Sequence, residues 1–262
     1  MRADKGAAPS ALDFHRTTYA DAAMLSDWVM LPVDQWPDEW FTYNQKTFPR
    51  LESLVLPDPG EPPAGPGSQW LAHRVSSRGP LAEMPLADLS QVLWYTTHSV
   101  PPEQHTPGNW HRPYPSAGGR LGCEFYVIAR NVVGLEPGVY SYGVARHQLT
   151  RLRPAVTEET MSLLFGDGWV TRTCAVLALT VSLDRLQIKY GPRGFRYGLV
   201  ESGAAAQTAC LVAGAASIGS CVLGGFADVP MSQLLLCTPE SEIPVATIAF
   251  SRIEEGHRND RH

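Results

Sequence analysis

The sequence predicts an α+β fold: a mixed or antiparallel central sheet flanked by helices. Three observations predict it. The apolar runs CEFYVIAR (123–130) and TCAVLALTVS (173–182) have the length and content of buried strands. Helical and strand patterns alternate along the chain, but few form strict strand–helix–strand units, which argues against a doubly wound parallel sheet. The segment RYGLVESGAAAQTACLVAGAASIGS (196–220) reads as one long helix whose small residues let another backbone approach closely.

The elements follow in order. Residues 1–66 form an aromatic and proline-rich arm. It carries Trp28, Trp36, Trp40, Phe41, Tyr43 and Phe48 and ends in the turn-rich PDPGEPPAGPG. So many aromatics are costly to leave in water, so the arm is expected to pack on the body or on a partner. The body spans 67–255, with a polar tail at 256–262. In MPLADLSQVLWYTT, Leu86, Leu89, Val92 and Leu93 share one helical face, with Pro85 suited to the first turn. Residues 98–120, rich in His, Pro and Gly, are expected to form a loop. GVYSYGVARHQLTRL alternates about a turn and predicts a hairpin. Thr157 before Glu158 and Glu159 marks another helix start. Asp228 can cap a short helix to Leu236, and IPVATIAFS (243–251) predicts a final strand.

Composition excludes several functions. At 262 residues the chain can bury a sizeable core, and a net charge of −5 with pI about 5.9 lacks the basic footprint of a nucleic-acid binder. Five scattered cysteines without CxxC spacing predict buried free thiols rather than zinc or a disulfide framework. His98, His105 and His111 share a loop, but their spacing fits no compact ligand motif, so no metal is expected. The N-terminus lacks the apolar core of a signal peptide, and the uncharged run between Glu201 and Asp228 is too weakly hydrophobic for a membrane span. A cytoplasmic protein is therefore expected. No phosphate-loop, GxSxG, HExxH or Rossmann glycine signature is present.

Three lysines are present, Lys5, Lys46 and Lys189, so a single lysine follows residue 46. That lysine lies in Leu186-Gln-Ile-Lys189-Tyr190-Gly-Pro-Arg193-Gly-Phe-Arg196-Tyr197, expected to be a loop between the best strand and the long helix. Lysine can act as a base once its pKa is lowered, which arginine cannot do, and Arg193 and Arg196 are expected to lower it. Tyr190 adds a hydroxyl that can relay a proton or position a substrate. Arg74-Val-Ser76-Ser-Arg78, the segment Arg112-Pro-Tyr-Pro115-Ser116-Ala117-Gly118-Gly-Arg120, and Ser251-Arg252 combine guanidinium forks with hydroxyls, which suit a phosphate. Gly224-Gly225-Phe226 can aim backbone N–H groups at a planar ligand.

Together these segments resemble the nitroreductase superfamily, in particular its azoline-dehydrogenase branch (SagB-type, McbC-like). Arg74-x-Ser76-x-Arg78 resembles the opening flavin-phosphate motif, and Pro115-Ser116-Ala117-Gly118 followed by Glu124-Phe-Tyr-Val the second flavin segment. Gly134-Leu-Glu-Pro-Gly-Val-Tyr140-Ser-Tyr142 resembles the branch's hairpin, and Gly203-Ala-Ala-Ala-Gln207 its central helix. Lys189-Tyr190 resembles the catalytic pair that ordinary nitroreductases lack. Gly122-Cys123 departs from the His/Tyr-Pro-like stretch usual before Glu124.

The resemblance implies an FMN-binding fold in an interlocked homodimer. Arg74, Ser76, Arg78, Arg112, Pro115 to Gly118, Gly224, Gly225 and Arg252 would bind FMN, with Arg193 and Arg196 near the substrate. It further implies oxidation of peptide thiazoline or oxazoline rings to thiazoles or oxazoles, on a ribosomal peptide or a carrier protein, with a cyclase or synthetase as a possible partner. The alternatives are an NAD(P)H-dependent nitro- or ene-reductase and a flavin-free scaffold of a cyclase complex.

Overall fold

The computed structural model describes residues 46–65, 67–78, 83–99, 111–165, 168–238 and 240–252, with Gln35 and Pro37. Trp28, Trp36, Trp40, Phe41, Tyr43, His105 and the tail at 256–262 lie outside the described residues. The centre is a seven-stranded sheet in the order β1-β6-β5-β3-β7-β9-β8. Its strands are β1 (Ser53–Val55), β3 (Cys123–Ala129), β5 (Gly138–Gly143), β6 (Gln148–Arg153), β7 (Ala175–Ser182), β8 (Ile218–Leu223) and β9 (Glu242–Arg252). Every pairing in it is antiparallel. A small parallel pair, β2 (Met84–Pro85) and β4 (Val132–Val133), lies outside it.

Burial explains the centre. Every residue of β3 is buried, as are all but the last of β7. Such strands have no polar face to offer water and must be covered on both sides. The predicted hairpin forms as β5 and β6, with His147 at φ +47° completing the turn. Residues 53–55 of the arm supply the edge strand β1, and Pro57, Pro59, Gly60 and Glu61 lie along a helix, α2 (Leu86–Thr97). Ser90 Oγ donates to the Pro57 carbonyl, Gln91 Nε2 to the Glu61 carbonyl at 3.0 Å, and the Tyr95 hydroxyl to the Gly60 carbonyl at 2.6 Å.

Among the described residues the helices are α1 (Gly67–His73), α2, α3 (Glu158–Phe165), α4 (Leu183–Tyr190), α5 (Gly194–Ala215) and α6 (Asp228–Leu234). In α2, Leu89, Val92 and Leu93 are fully buried, the face the sequence predicted. The N-terminus of α3 is capped by Thr157, whose Oγ1 accepts from the Thr160 N–H at 3.2 Å. Helix α5 approaches α4 closely at Gly194, where a Cβ would lie 2.9 Å from the backbone of Leu186, and the sheet at Gly198, where one would collide with Val181 of β7.

Two boundaries differ from expectation. The long helix stops at Ala215; Ser217, at φ +61°, turns the chain, and Ile218–Leu223 pair with β9 as a strand. Pairing with a buried neighbour outweighs the small-residue pattern there. Accordingly Gly224-Gly225 follows a strand rather than a helix, and α6 ends at Leu234 with Ala227, not Asp228, at its N-cap.

Candidate functional site

The expected loop around Lys189 is a helix. α4 begins with Asp184 in its first turn and buries Leu183 and Leu186. It ends on Lys189 and Tyr190 because Gly191, at φ +54°, turns the chain in a backbone region that residues with a side chain rarely adopt. A short turn over Gly191–Arg193 then leads directly into α5. The Lys-Tyr pair thus stands at the corner between two packed helices. Both side chains are half-buried.

The second predicted segment meets this corner. Ser116 opens a tight turn over Ala117–Gly119, with Gly118 at φ +54° and Gly119 at +66°. A Cβ on Gly118 would collide with the Tyr190 hydroxyl and lie 2.9 Å from the Lys189 Nζ. Two segments that are remote in sequence are therefore in direct contact.

Electrostatics at the corner come from Arg120, which the sequence placed in a segment suited to a phosphate and not beside Lys189. Arg120 is 5% exposed and its Nε donates to the Arg185 carbonyl at 3.0 Å. Burial, and then the Arg120 guanidinium, hold the Lys189 amine below the ordinary lysine range. The expected cations were Arg193 and Arg196; instead Arg193 Nε donates to the Tyr197 hydroxyl at 3.0 Å, and Arg120 is the cation that acts on Lys189. Burial first, and Tyr197 second, push the Tyr190 phenol above its usual value. The Tyr190 and Tyr197 rings meet edge to face at 5.0 Å.

Behind the turn lie three further groups. The Arg185 guanidinium pairs with Glu124 and donates to the Leu121 carbonyl. The Glu201 carboxylate, 1% exposed on α5, accepts from Ser116 Oγ at 2.8 Å and from the Cys123 N–H at 3.2 Å. The unusual Gly122-Cys123 fits this packing. A Cβ on Gly122 would lie 2.6 Å from Leu186, and Cys123 Sγ sits 3.1 Å from Ser202 Oγ. The signal for Glu201 was its position as a lone carboxylate in a helix of small residues.

The other predicted residues gather elsewhere. Ser76 bridges to Ser220, and the Ser77 N–H donates to the Ser220 carbonyl at 2.9 Å, laying the Arg74–Arg78 segment beside β8. The Arg78 guanidinium stands 5.6 Å over the Trp169 ring, and Arg74 acts electrostatically on Cys210. Ser251 and Arg252 pair with Gly219 and Ile218 on the same strand, and the buried Ser251 hydroxyl has no hydrogen-bond partner. The Arg252 side chain lies outside the described residues. Arg112 Nη1 donates to the Thr97 carbonyl at 2.8 Å, and Pro115 is exposed. Gly224 and Gly225 face open space, with nothing within 4 Å of where a Cβ would stand. From Glu201 to Cys210, nine residues of α5, is about 13 Å of helix rise, so the two groups mark separate stretches of one helix.

Among the described residues, no cluster of His, Cys, Asp or Glu could hold a metal, and no helix is long and apolar enough to cross a membrane. His98 is buried and stacked on Trp94 at 3.7 Å. All five cysteines are free.

Comparisons with known proteins place this fold in a family. The nitroreductase family model matches residues 73–252, more than half of the chain. The chain belongs to the nitroreductase family. It is 32% identical over 151 residues to a protein of Methanocaldococcus jannaschii named for that family, covering 57% of this chain and 73% of the relative. It is 26% identical over 159 residues to the microcin B17-processing protein McbC of Escherichia coli, covering 57% of each. Among solved structures, a family member from Ralstonia eutropha has TM-score 0.64 and 21% identity, covering 82% of this chain and 98% of that one. A chain of the E. coli McbBCD microcin synthetase complex, solved with truncated pro-MccB17 bound, has TM-score 0.57 and 20% identity, covering 93% and 92%. A member from Exiguobacterium sibiricum, solved in complex with FMN, has TM-score 0.50 and 13% identity, covering 76% and 94%.

Proposed function

We propose that this protein is an FMN-dependent dehydrogenase that oxidises thiazoline or oxazoline rings of a peptide substrate to thiazoles or oxazoles. The observation that carries the reading is the Lys189–Tyr190 pair, seated at a helix corner against the Gly118 turn. The likeness to McbC, a microcin-processing protein, supports a peptide substrate and a synthetase partner.

The residues fit a flavin. Arg74, Ser76, Arg78 and Arg252 would hold the phosphate beside β8, where the buried Ser251 hydroxyl is still available as a partner. Gly224 and Gly225 present backbone to open space, where a flat ring can approach, and Arg112 with Pro115–Gly118 would border it. The separation of the two groups along α5, and the exposed apolar Leu71, Val75, Leu199 and Val200, support a homodimer in which each site draws on both subunits. Bound FMN would supply the hydride acceptor, its electrons passing on to molecular oxygen.

Aromatisation of the ring requires loss of a proton from one carbon and a hydride from its neighbour. Lys189 takes the proton. Its amine is shifted toward the neutral form by burial and by Arg120, whereas the Tyr190 phenol is shifted toward its protonated form. Tyr190 therefore serves as a hydrogen-bond donor that orients the ring. The edge-to-face contact with Tyr197 limits the motion of its ring.

The test is purification and spectroscopy. The protein should be yellow and release FMN on denaturation, and an azoline-bearing peptide should bleach the bound flavin when oxygen is excluded. Protein that holds no flavin after reconstitution contradicts the reading. Consumption of NAD(P)H with nitro compounds, without azoline turnover, would favour the reductase alternative.

A further inference from the structure

The turn that meets Lys189 and Tyr190 is held in an unusual conformation. Gly118, Gly119 and Leu121 all have positive φ, at +54°, +66° and +49°. Leucine carries a Cβ and adopts that region only where its surroundings over-determine it. Both polar groups of Leu121 are engaged: its N–H donates to Ser116 Oγ at 2.8 Å, and its carbonyl accepts from Arg185. Ser116 Oγ donates a hydrogen bond to Glu201 Oε2 at 2.8 Å, and Glu201 Oε1 accepts from the Cys123 N–H just beyond the turn. One buried carboxylate on α5 thus ties down both ends of the turn that carries Gly118 and Arg120.

We propose that Glu201 is a positioning residue: it clamps the Ser116–Cys123 segment against the Lys189–Tyr190 corner and so fixes Arg120 beside the amine. The chemical importance of the corner rests on the proposed function, but the clamp itself can be tested without substrate. Arg120 stands beside Lys189; Tyr197 and Arg120 act on Tyr190; and Arg185, Glu124 and Cys123 lie around the Glu201 end.

Lys189 is the single lysine after residue 46, so its titration can be read directly. The experiment is competitive acylation with acetic anhydride across pH, followed by peptide mass spectrometry, with Lys5 as internal reference. Glu201→Ala should raise the Lys189 midpoint by on the order of half a pH unit, because the turn and Arg120 move away. Loss of a nearby negative charge acting directly would lower it, so the sign separates the two routes. Ser116→Ala, which keeps the carboxylate and alters a half-buried site, should raise it too. Glu201→Gln, able to accept from the Cys123 N–H and donate to Ser116, should restore the wild-type midpoint. An unchanged or lowered midpoint in Glu201→Ala and Ser116→Ala overturns the clamp. A raised midpoint in these variants, with a wild type that fails to oxidise azolines, leaves the clamp standing and contradicts the proposed reaction alone.

Discussion

The Tyr190 hydroxyl occupies the space that a side chain on Gly118 would fill. Gly118→Ala is therefore a direct probe of the corner. The substitution forces a Cβ into both the hydroxyl and a left-handed backbone. It should cost about 1–2 kcal/mol of stability from the backbone alone. Displacement of Tyr190 should lower kcat by roughly 100-fold. Denaturant titration and steady-state kinetics on the flavin-loaded protein check the two effects separately.

Lys189→Ala should retain flavin and fold but lower kcat by roughly 10²- to 10⁴-fold, the usual contribution of a positioned base. In the wild type, kcat/KM should rise with pH as the amine loses its proton. The rise should level off below the ordinary lysine value of 10.5, because burial and Arg120 favour the neutral amine. A pH–rate profile checks this.

Lys46 ties the arm to the sheet. Its Nζ donates to Glu242 at 2.6 Å and to the Tyr126 hydroxyl at 2.9 Å, while Glu242 also accepts from Tyr126 at 2.7 Å and from Thr180 at 2.6 Å. Glu242 is 5% exposed. Lys46→Met removes the cation and leaves a buried carboxylate without its charge partner, a change that costs about 3 kcal/mol. Chemical denaturation should show that loss. Adding Glu242→Gln to the variant should recover part of it.

His147 predicts an acid transition. It is buried between Ser90 and Tyr142, at 2.8 Å from each, and burial pushes its pKa down to about 4. The unfolded imidazole takes up its proton near 6.5, before the folded one does. Stability is therefore complete above 6.5 and falls by about 3 kcal/mol as pH drops toward 4. In His147→Asn, which tolerates the left-handed backbone, unfolding free energy should vary much less over that range.

The sequence made some parts of this molecule legible and hid others for physical reasons. Periodicity located β3, β7, β9, the β5–β6 hairpin and α2, because these segments are buried by neighbours of the same pattern. The helix through Lys189 was hidden because LQIKYGPRG carries turn residues at its end, and only packing against α5 fixes the preceding turns as helical. The strand at Ile218 was hidden because it continues a helix of similar composition, and its pairing partner lies more than twenty residues on. At the site, residue types chosen for chemistry were readable: Lys189, Tyr190 and the Gly118 turn do meet. Arg185 and Glu201 were not, and Arg120 was legible only as part of a segment suited to a phosphate, since all three matter through three-dimensional proximity to that pair.

The central claim is that Lys189 removes a ring proton during azoline oxidation. Mass spectrometry of a thiazoline-bearing peptide incubated with the flavin-loaded protein and oxygen tests it most directly. Wild type should remove two hydrogens per ring, whereas Lys189→Ala, at equal flavin content, should leave the peptide mass unchanged. Equal mass loss in both proteins would contradict the account.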